Sequence, residues 1–116
     1  MLPKKNRIKK VNFLQALKGG YFKESSLLKM YVKNNLSIKN SVFAFVIKKS
    51  FIKKASERNK IRRWGYNIIE NNLKKISNNV SCVFFIKKTT GTLLSFKKIK
   101  SEVILLLNQA GCLKDR

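Results

Sequence analysis

Residues 48–63 carry eight lysines and arginines in sixteen positions, about twice the density of a chain that is already strongly basic. An apolar segment, residues 42–47, leads into this run, and an amphipathic segment from Ser56 to about Ile76 leads out of it. A strand must therefore hand over to a helix across a patch of positive charge, and the fold has to keep that patch outside its core. The basic side chains also fall in the first turns of the helix, where exposed N–H groups favour acids. Glu57 follows that rule, while Arg58, Lys60, Arg62 and Arg63 break it. A locally unfavourable charge arrangement on a rigid element implies that a polyanion completes it; a plain solvated basic face is the alternative.

The net charge of +22 on 116 residues arises because only five acids, Glu24, Glu57, Glu70, Glu102 and Asp115, oppose 27 lysines and arginines. Self-repulsion on that scale weakens a compact state until a partner supplies negative charge. The hydrophobic fraction of 44% and eight phenylalanines nevertheless argue for folding, as one domain over residues 1–116. Nucleic acid and anionic membrane are the candidate partners. No apolar run approaches the roughly 20 residues of a spanning helix, and no signal peptide is read, so a cytoplasmic protein is expected. Cys82 and Cys112 fit no metal spacing; Cys82 lies in an apolar strand pattern and reads as a buried thiol. A disulfide between the two stays open. Histidine is absent, which excludes a histidine-based nuclease. The acids show no metal-clamping spacing and no Gly-rich phosphate loop occurs, so binding is the expected role and no protein residue is expected to be catalytic.

In chain order, residues 1–11 form a basic arm, expected to be mobile unless RNA or its own domain holds it. Asn12 reads as an N-cap, with Gln15 in a weak capping box, for a short helix over residues 13–18 that Gly19 and Gly20 end. Residues 27–33 alternate: Leu28, Met30 and Val32 face a core, and Tyr31 stands between Lys29 and Lys33 on the other side. That second face suits nucleic-acid stacking and equally suits an ordinary wet strand. After a turn over residues 34–40, residues 42–48 set Phe43, Phe45 and Ile47 on one face. Val42, Ala44 and Val46 on the other are small enough to floor a shallow groove or to take a second packed layer. The helix from Ser56 directs Ile61, Trp64, Ile68, Ile69, Leu73 and Ile76 inward, with Gly65 costing about 1 kcal/mol relative to Ala unless close packing requires it. Residues 80–86 are apolar on both faces apart from Ser81, as in a central strand. Residues 89–94 read as a loop. Ser95 caps a last helix with Phe96, Ile99, Val103, Leu106 and Ala110 on one stripe, stopped by Gly111. The expected architecture is an α+β sandwich, helix-strand-strand-helix-strand-helix, with helices laid on a small sheet.

Several of these segments together resemble the bacterial ribonuclease P protein family. The family's basic Asn-Arg-(Ile/Leu)-(Arg/Lys) opening followed by Asp-Phe is matched by Asn6-Arg7-Ile8-Lys9-Lys10-Val11-Asn12-Phe13. Its Leu-Tyr-Val-like triplet appears as Met30-Tyr31-Val32. Its signature, Ser-Lys-Lys then Arg-Asn-Arg-Ile-Lys-Arg, appears as Ile47-Lys48-Lys49 then Arg58-Asn59-Lys60-Ile61-Arg62-Arg63. The Ser95-Phe96 start and the Ala110-Gly111 end also fit. The chain departs from the pattern in a longer, glycine-free loop over residues 50–57, in Tyr66-Asn67 for Arg-Glu, and in Leu17 for an aromatic.

The resemblance implies an α-β sandwich with a left-handed βαβ crossover, an exception to the usual handedness. It implies an accessory subunit of an endoribonuclease, a ribonucleoprotein whose RNA carries the chemistry. With Mg²⁺, bound mainly by that RNA and the substrate, precursor tRNA is hydrolysed to its mature 5′ end. The implied RNA-binding residues are Arg58, Asn59, Lys60, Arg62 and Arg63. Phe13 and Tyr31, with Lys48 and Lys49 nearby, are the implied lining of a cleft for the single-stranded 5′ leader. The expected partners are ribonuclease P RNA and precursor tRNA, without membrane. A structural RNA-binding protein of ribosomal type is the alternative that composition alone favours.

Overall fold

The two most regular apolar patterns, residues 27–33 and 80–86, become the middle strands of one sheet. A computed structural model describes residues 2–35, 37–77, 79–88 and 94–114. The loop read over residues 89–94 lies outside these apart from Leu94. Strands β1 (Tyr21–Glu24), β2 (Leu28–Asn34), β3 (Val42–Val46) and β4 (Val80–Ile86) are ordered β1-β2-β4-β3. β2 runs antiparallel to both β1 and β4, whereas β3 and β4 are parallel. A parallel pair needs a crossover, and α2 (Ala55–Asn72), extended by a 3-10 turn at Leu73–Lys75, supplies it. α1 (Phe13–Ala16) precedes the sheet and α3 (Phe96–Gln109) follows it. Among the described residues no helix is long and apolar enough to cross a membrane.

Alternation sorts the strand side chains as the sequence indicates. Leu28, Met30 and Val32, Phe43, Phe45 and Ile47, and Val80, Cys82, Phe84 and Ile86 are all buried on the helix side. They meet Ile61, Ile68 and Ile69 of α2 and Ile99, Val103, Leu106 and Leu107 of α3. Trp64 is only half-buried, edge-on to Phe96 at 6.1 Å between centroids, and so links the two helices. Ser95 Oγ accepts from the Lys98 amide as a working N-cap, and Gly111 takes the left-handed φ of 71° beyond the helix end. Cys82 and Cys112 are both buried free thiols in contact, and the Cys112 thiol and burial together push the Cys82 thiol up.

Two expectations need correction, and the condition left open for the arm is met by its own domain. β1 was not foreseen: its four side chains are all exposed, so no apolar alternation marks it, and only its pairing to β2 makes it a strand. The capping box at Asn12 does not form; its side chain makes no cap bond, and α1 is a single turn. The basic arm is docked on its own domain. Leu2 is 1% exposed, Asn6 Nδ2 donates to the Ser41 carbonyl at 2.9 Å, and the Ile8 amide donates to the Phe43 carbonyl at 3.0 Å. The arm thus covers part of the outer edge of β3, which would otherwise present unpaired backbone groups.

Gly65 explains how α2 sits on the sheet. A β-carbon there would lie 2.5 Å from the Phe45 ring, which stacks on Phe84 at 4.7 Å and meets Tyr66 edge-on at 5.6 Å. Close approach of helix and ring therefore outweighs the poor helix propensity of glycine. At the other end of the sheet, the Glu102 carboxylate on α3 gathers the β1–β2 turn. It accepts from Ser25 Oγ, from Ser26 Oγ at 2.8 Å and from the Leu27 amide at 2.7 Å. Partial burial opposes its charge, but these hydrogen bonds and Lys98 outweigh that and hold its pKa below the ordinary carboxylate value. On the same turn Lys87 Nζ bridges Glu24 at 2.9 Å and the Ser25 carbonyl at 2.7 Å.

Gly65→Ala should lower stability in chemical denaturation by about 1–3 kcal/mol, because overpacking against Phe45 exceeds the helix-propensity gain. An unchanged or raised midpoint would show that the ring yields. Glu102→Gln should destabilise by about 1–2 kcal/mol at neutral pH. Since the folded carboxyl has a depressed pKa, its contribution is present above the unfolded value of about 4.3 and is lost as pH falls through the folded value. The gap between variant and parent should therefore close below about pH 4, read by denaturation at stepped pH.

Candidate nucleic-acid interface

The sheet face opposite α2 and α3 is built by the other half of the alternation. Strand register places Phe22, Tyr31, Val83 and Ala44 in one row across it. Lys29, Phe85 and Val46 form a second row, and Lys33, Ser81 and Val42 a third. α1 packs onto this face against β4. The small residues expected on β3 do floor grooves: Val46 lies in one and Val42 in another.

The first groove, about 540 Å³, is bordered by four rings, Phe22, Tyr31, Phe51 and Phe85, and three lysines, Lys29, Lys48 and Lys87. No carboxylate lines it. Lys29 Nζ sits 4.3 Å from the Phe22 centroid and Lys48 Nζ 5.4 Å from that of Phe51, so cations already rest on aromatic faces. Tyr31 is oriented by its hydroxyl, which accepts from the Gly20 amide at 3.3 Å. Flat rings with ammonium groups around them can take stacked bases and their phosphates together. The second groove, about 650 Å³, opens at the Lys33–Ser81–Val42 end, between the arm, α1 and the turn after β2.

Tyr31 and Lys48 line one groove together. Phe13 is half-buried on α1 and does not line either groove; Leu17, beyond the helix, does. Lys49 is exposed in the following turn, outside the lining. Sequence reasoning did not single out Phe22, Phe51, Phe85 or Lys87 for this groove. Lys29 was signalled by its alternation with Tyr31, whereas Phe85 was hidden because β4 is apolar on both faces.

The basic residues of α2 divide in two. Arg58 is half-buried, and its Nη1 donates to the carbonyls of Ile52 at 2.8 Å and Lys53 at 2.7 Å. It ties down the loop entering the helix, whose N-cap residue, Lys54, offers no side-chain cap. Asn59, Lys60 and Arg63 are exposed, and half-buried Arg62 donates through Nη1 to Asn59 Oδ1 at 2.8 Å. Lys60 Nζ lies 5.1 Å from the Trp64 ring. Arg62 and Asn59 thus hold each other on the outer side of the helix, beside Lys60 and Arg63.

No curated protein matches the chain in sequence. Among solved structures, it superposes on the Staphylococcus aureus RNase P protein with a TM-score of 0.82 at 19% identity, covering 94% of this chain and 98% of that one. A mutant of that protein with defective mRNA degradation activity gives 0.83 at 21%, covering 95% and 92%. The RNase P protein from Thermotoga maritima gives 0.77 at 23%, covering 89% and 96%. These likenesses establish the fold: the four-stranded mixed sheet with its crossover helix is that of RNase P proteins. The family model for ribonuclease P matches residues 2–111, nearly the whole chain, and the protein therefore belongs to the ribonuclease P protein family.

Proposed function

We propose that this chain, acting as a single RNA-binding domain, binds the RNA subunit of a bacterial ribonuclease P and holds the single-stranded 5′ leader of precursor tRNA. Family membership makes it a subunit of a tRNA-processing ribonuclease. The observation that carries the finer reading is the carboxylate-free groove in which Tyr31, Phe22, Phe51 and Phe85 alternate with Lys29, Lys48 and Lys87. Stacking on such rings contributes about 1–3 kcal/mol per base and is tolerant of sequence, which suits a subunit serving many leaders. Lysines supply phosphate contacts that fix register without reading bases. The outward groups of α2, namely Asn59, Lys60, Arg62 and Arg63, serve the RNA subunit. Arg58 serves it indirectly, by shaping the loop from which Lys48 and Lys49 emerge.

In this reading hydrolysis belongs to the RNA, with Mg²⁺ held by the RNA and the substrate, in the bacterial cytoplasm. The protein's part is positioning: it neutralises phosphates that would repel one another and keeps the leader extended. The test is cleavage of precursor tRNA at low, near-physiological Mg²⁺ by a bacterial ribonuclease P RNA, with and without the protein. Restored cleavage at the mature 5′ end is the expected result. Inactivity with the cognate RNA, combined with indiscriminate binding of many RNAs, would favour a structural RNA-binding protein of ribosomal type.

Two substitutions sharpen the assignment. Tyr31→Ala should weaken binding of leader-bearing tRNA by about 1–3 kcal/mol while leaving mature tRNA unchanged, with Phe13→Ala losing less; equal losses for both tRNAs would make Tyr31 a packing residue. Arg63→Ala should lower the salt dependence of RNA binding by about one unit of log–log slope per lost phosphate contact. An unaltered slope would remove Arg63 from the interface.

A further inference from the structure

The chain's two cysteines, at positions 82 and 112, are brought together in the core. Cys82 lies on the helix side of β4, in the row Tyr21, Val32, Cys82, Phe43 that strand register draws across the sheet. The end of α3 reaches that row, since the Tyr21 hydroxyl donates to the Ala110 carbonyl at 3.2 Å. There Gly111, at φ 71°, reverses the chain, and the amides of Gly111 and Cys112 donate back to the Asn108 and Leu107 carbonyls at 3.0 and 2.9 Å. A glycine stop of this kind turns the second residue beyond the cap back onto the apolar side of its own helix. Cys112 is that residue; it is 2% exposed, and its thiol meets that of the fully buried Cys82. The two thiols are pushed in opposite directions, Cys82 up by the Cys112 thiol and by burial, Cys112 down by its hydrogen bond with Cys82.

We propose that Cys82 and Cys112 are a modification site for hydrogen peroxide, at which they close into a disulfide that staples the end of α3 to the centre of the sheet. Cys112 reacts first, because its sulfur carries more of the nucleophilic thiolate. It is also the easier to reach. Residues 112–114 are tied to residues 75–77 through the bridge of Ile76 to Leu113. The Ser77 amide donates to the Cys112 carbonyl at 2.7 Å, and the Lys114 amide to the Lys75 carbonyl at 2.6 Å. So short a contact opens locally while the sheet stays folded, which admits a molecule the size of peroxide. The Cys112 thiolate attacks one peroxide oxygen, the O–O bond breaks, and a sulfenic acid and hydroxide result. The Cys82 sulfur, losing its proton, then attacks the Cys112 sulfur and displaces the second hydroxide as the S–S bond forms. Two electrons pass from the thiol pair to peroxide, and the two thiol protons complete two waters. The product closes a loop of about 30 residues, which restricts the unfolded chain and favours the compact state. That is the state a net charge of +22 weakens.

The test exposes the reduced full-length protein, free of RNA, to a slight excess of hydrogen peroxide. Its intact mass should fall by about 2 Da and its melting temperature rise by about 10 °C, both reversed by dithiothreitol. Cys82→Ser keeps a donor beside Cys112 and should stop at the sulfenic acid, which dimedone labels at Cys112. Cys112→Ser should leave Cys82 unlabelled. The parent reports closure even where a variant folds poorly. An unchanged mass, oxygen gained in place of hydrogen lost, or a disulfide-linked dimer would overturn the site. Label on Cys82 in Cys112→Ser would overturn the order of attack. Closure with an unchanged or lowered melting temperature would overturn the staple. None of these results depends on whether the protein binds RNA or promotes its cleavage.

Discussion

The parallel pairing of β3 with β4 governs the placement of nearly every functional side chain. Parallel neighbours cannot be joined by a tight turn, so the chain must leave β3, cross the sheet as a helix and return. The basic run of residues 48–63 lies at the point of departure and is thereby split between two surfaces. Its first lysines stay at the end of β3, where Lys48 reaches the aromatic groove, while its later arginines ride out on α2. Contact between Phe45 and Gly65 fixes how closely the helix lies against the sheet. One covalent segment therefore contributes both to the aromatic groove on the sheet and to the exposed face of α2, at a separation the core holds constant.

Charge is managed by a similar division. With so few acids, internal neutralisation is rare, and Glu24 and Glu102 are both engaged at the β1–β2 turn. Neither groove has a carboxylate in its lining. Positive charge thereby stays concentrated along the grooves, while the β1–β2 turn beside the aromatic groove is held by ionic and charge-assisted bonds, with Lys87 taking part in both.

Much of this was legible in the sequence where one pattern had one cause. Leu28, Met30 and Val32 alternate because one face of β2 is core, and Ser95 and Gly111 bracket α3 because helix ends need those groups. Legibility failed where structure came from pairing with no apolar pattern behind it, as in exposed β1, and where both faces were apolar, as at Phe85. Spacing groups Arg58 with its basic neighbours, but that its guanidinium reaches back to the carbonyls of Ile52 and Lys53 depends on loop geometry that spacing does not encode. The docked arm was equally hidden, since Leu2 is a single apolar residue among lysines and its dock, at Ser41 and Phe43, lies far along the chain.

That dock has a consequence for the order in which the molecule assembles. The arm bonds to carbonyls of Ser41 and Phe43, and β3 gains its place only by pairing with β4, in the register Val42 to Ser81. Closing that long loop is the slow, entropically demanding step of such a topology. The arm is thus made before the strands that receive it and docks only once they are paired. In a bacterium whose nascent chains emerge into abundant RNA, this basic segment passes through synthesis as an unfolded polycation, and its native contacts must compete with every phosphate it meets on the way.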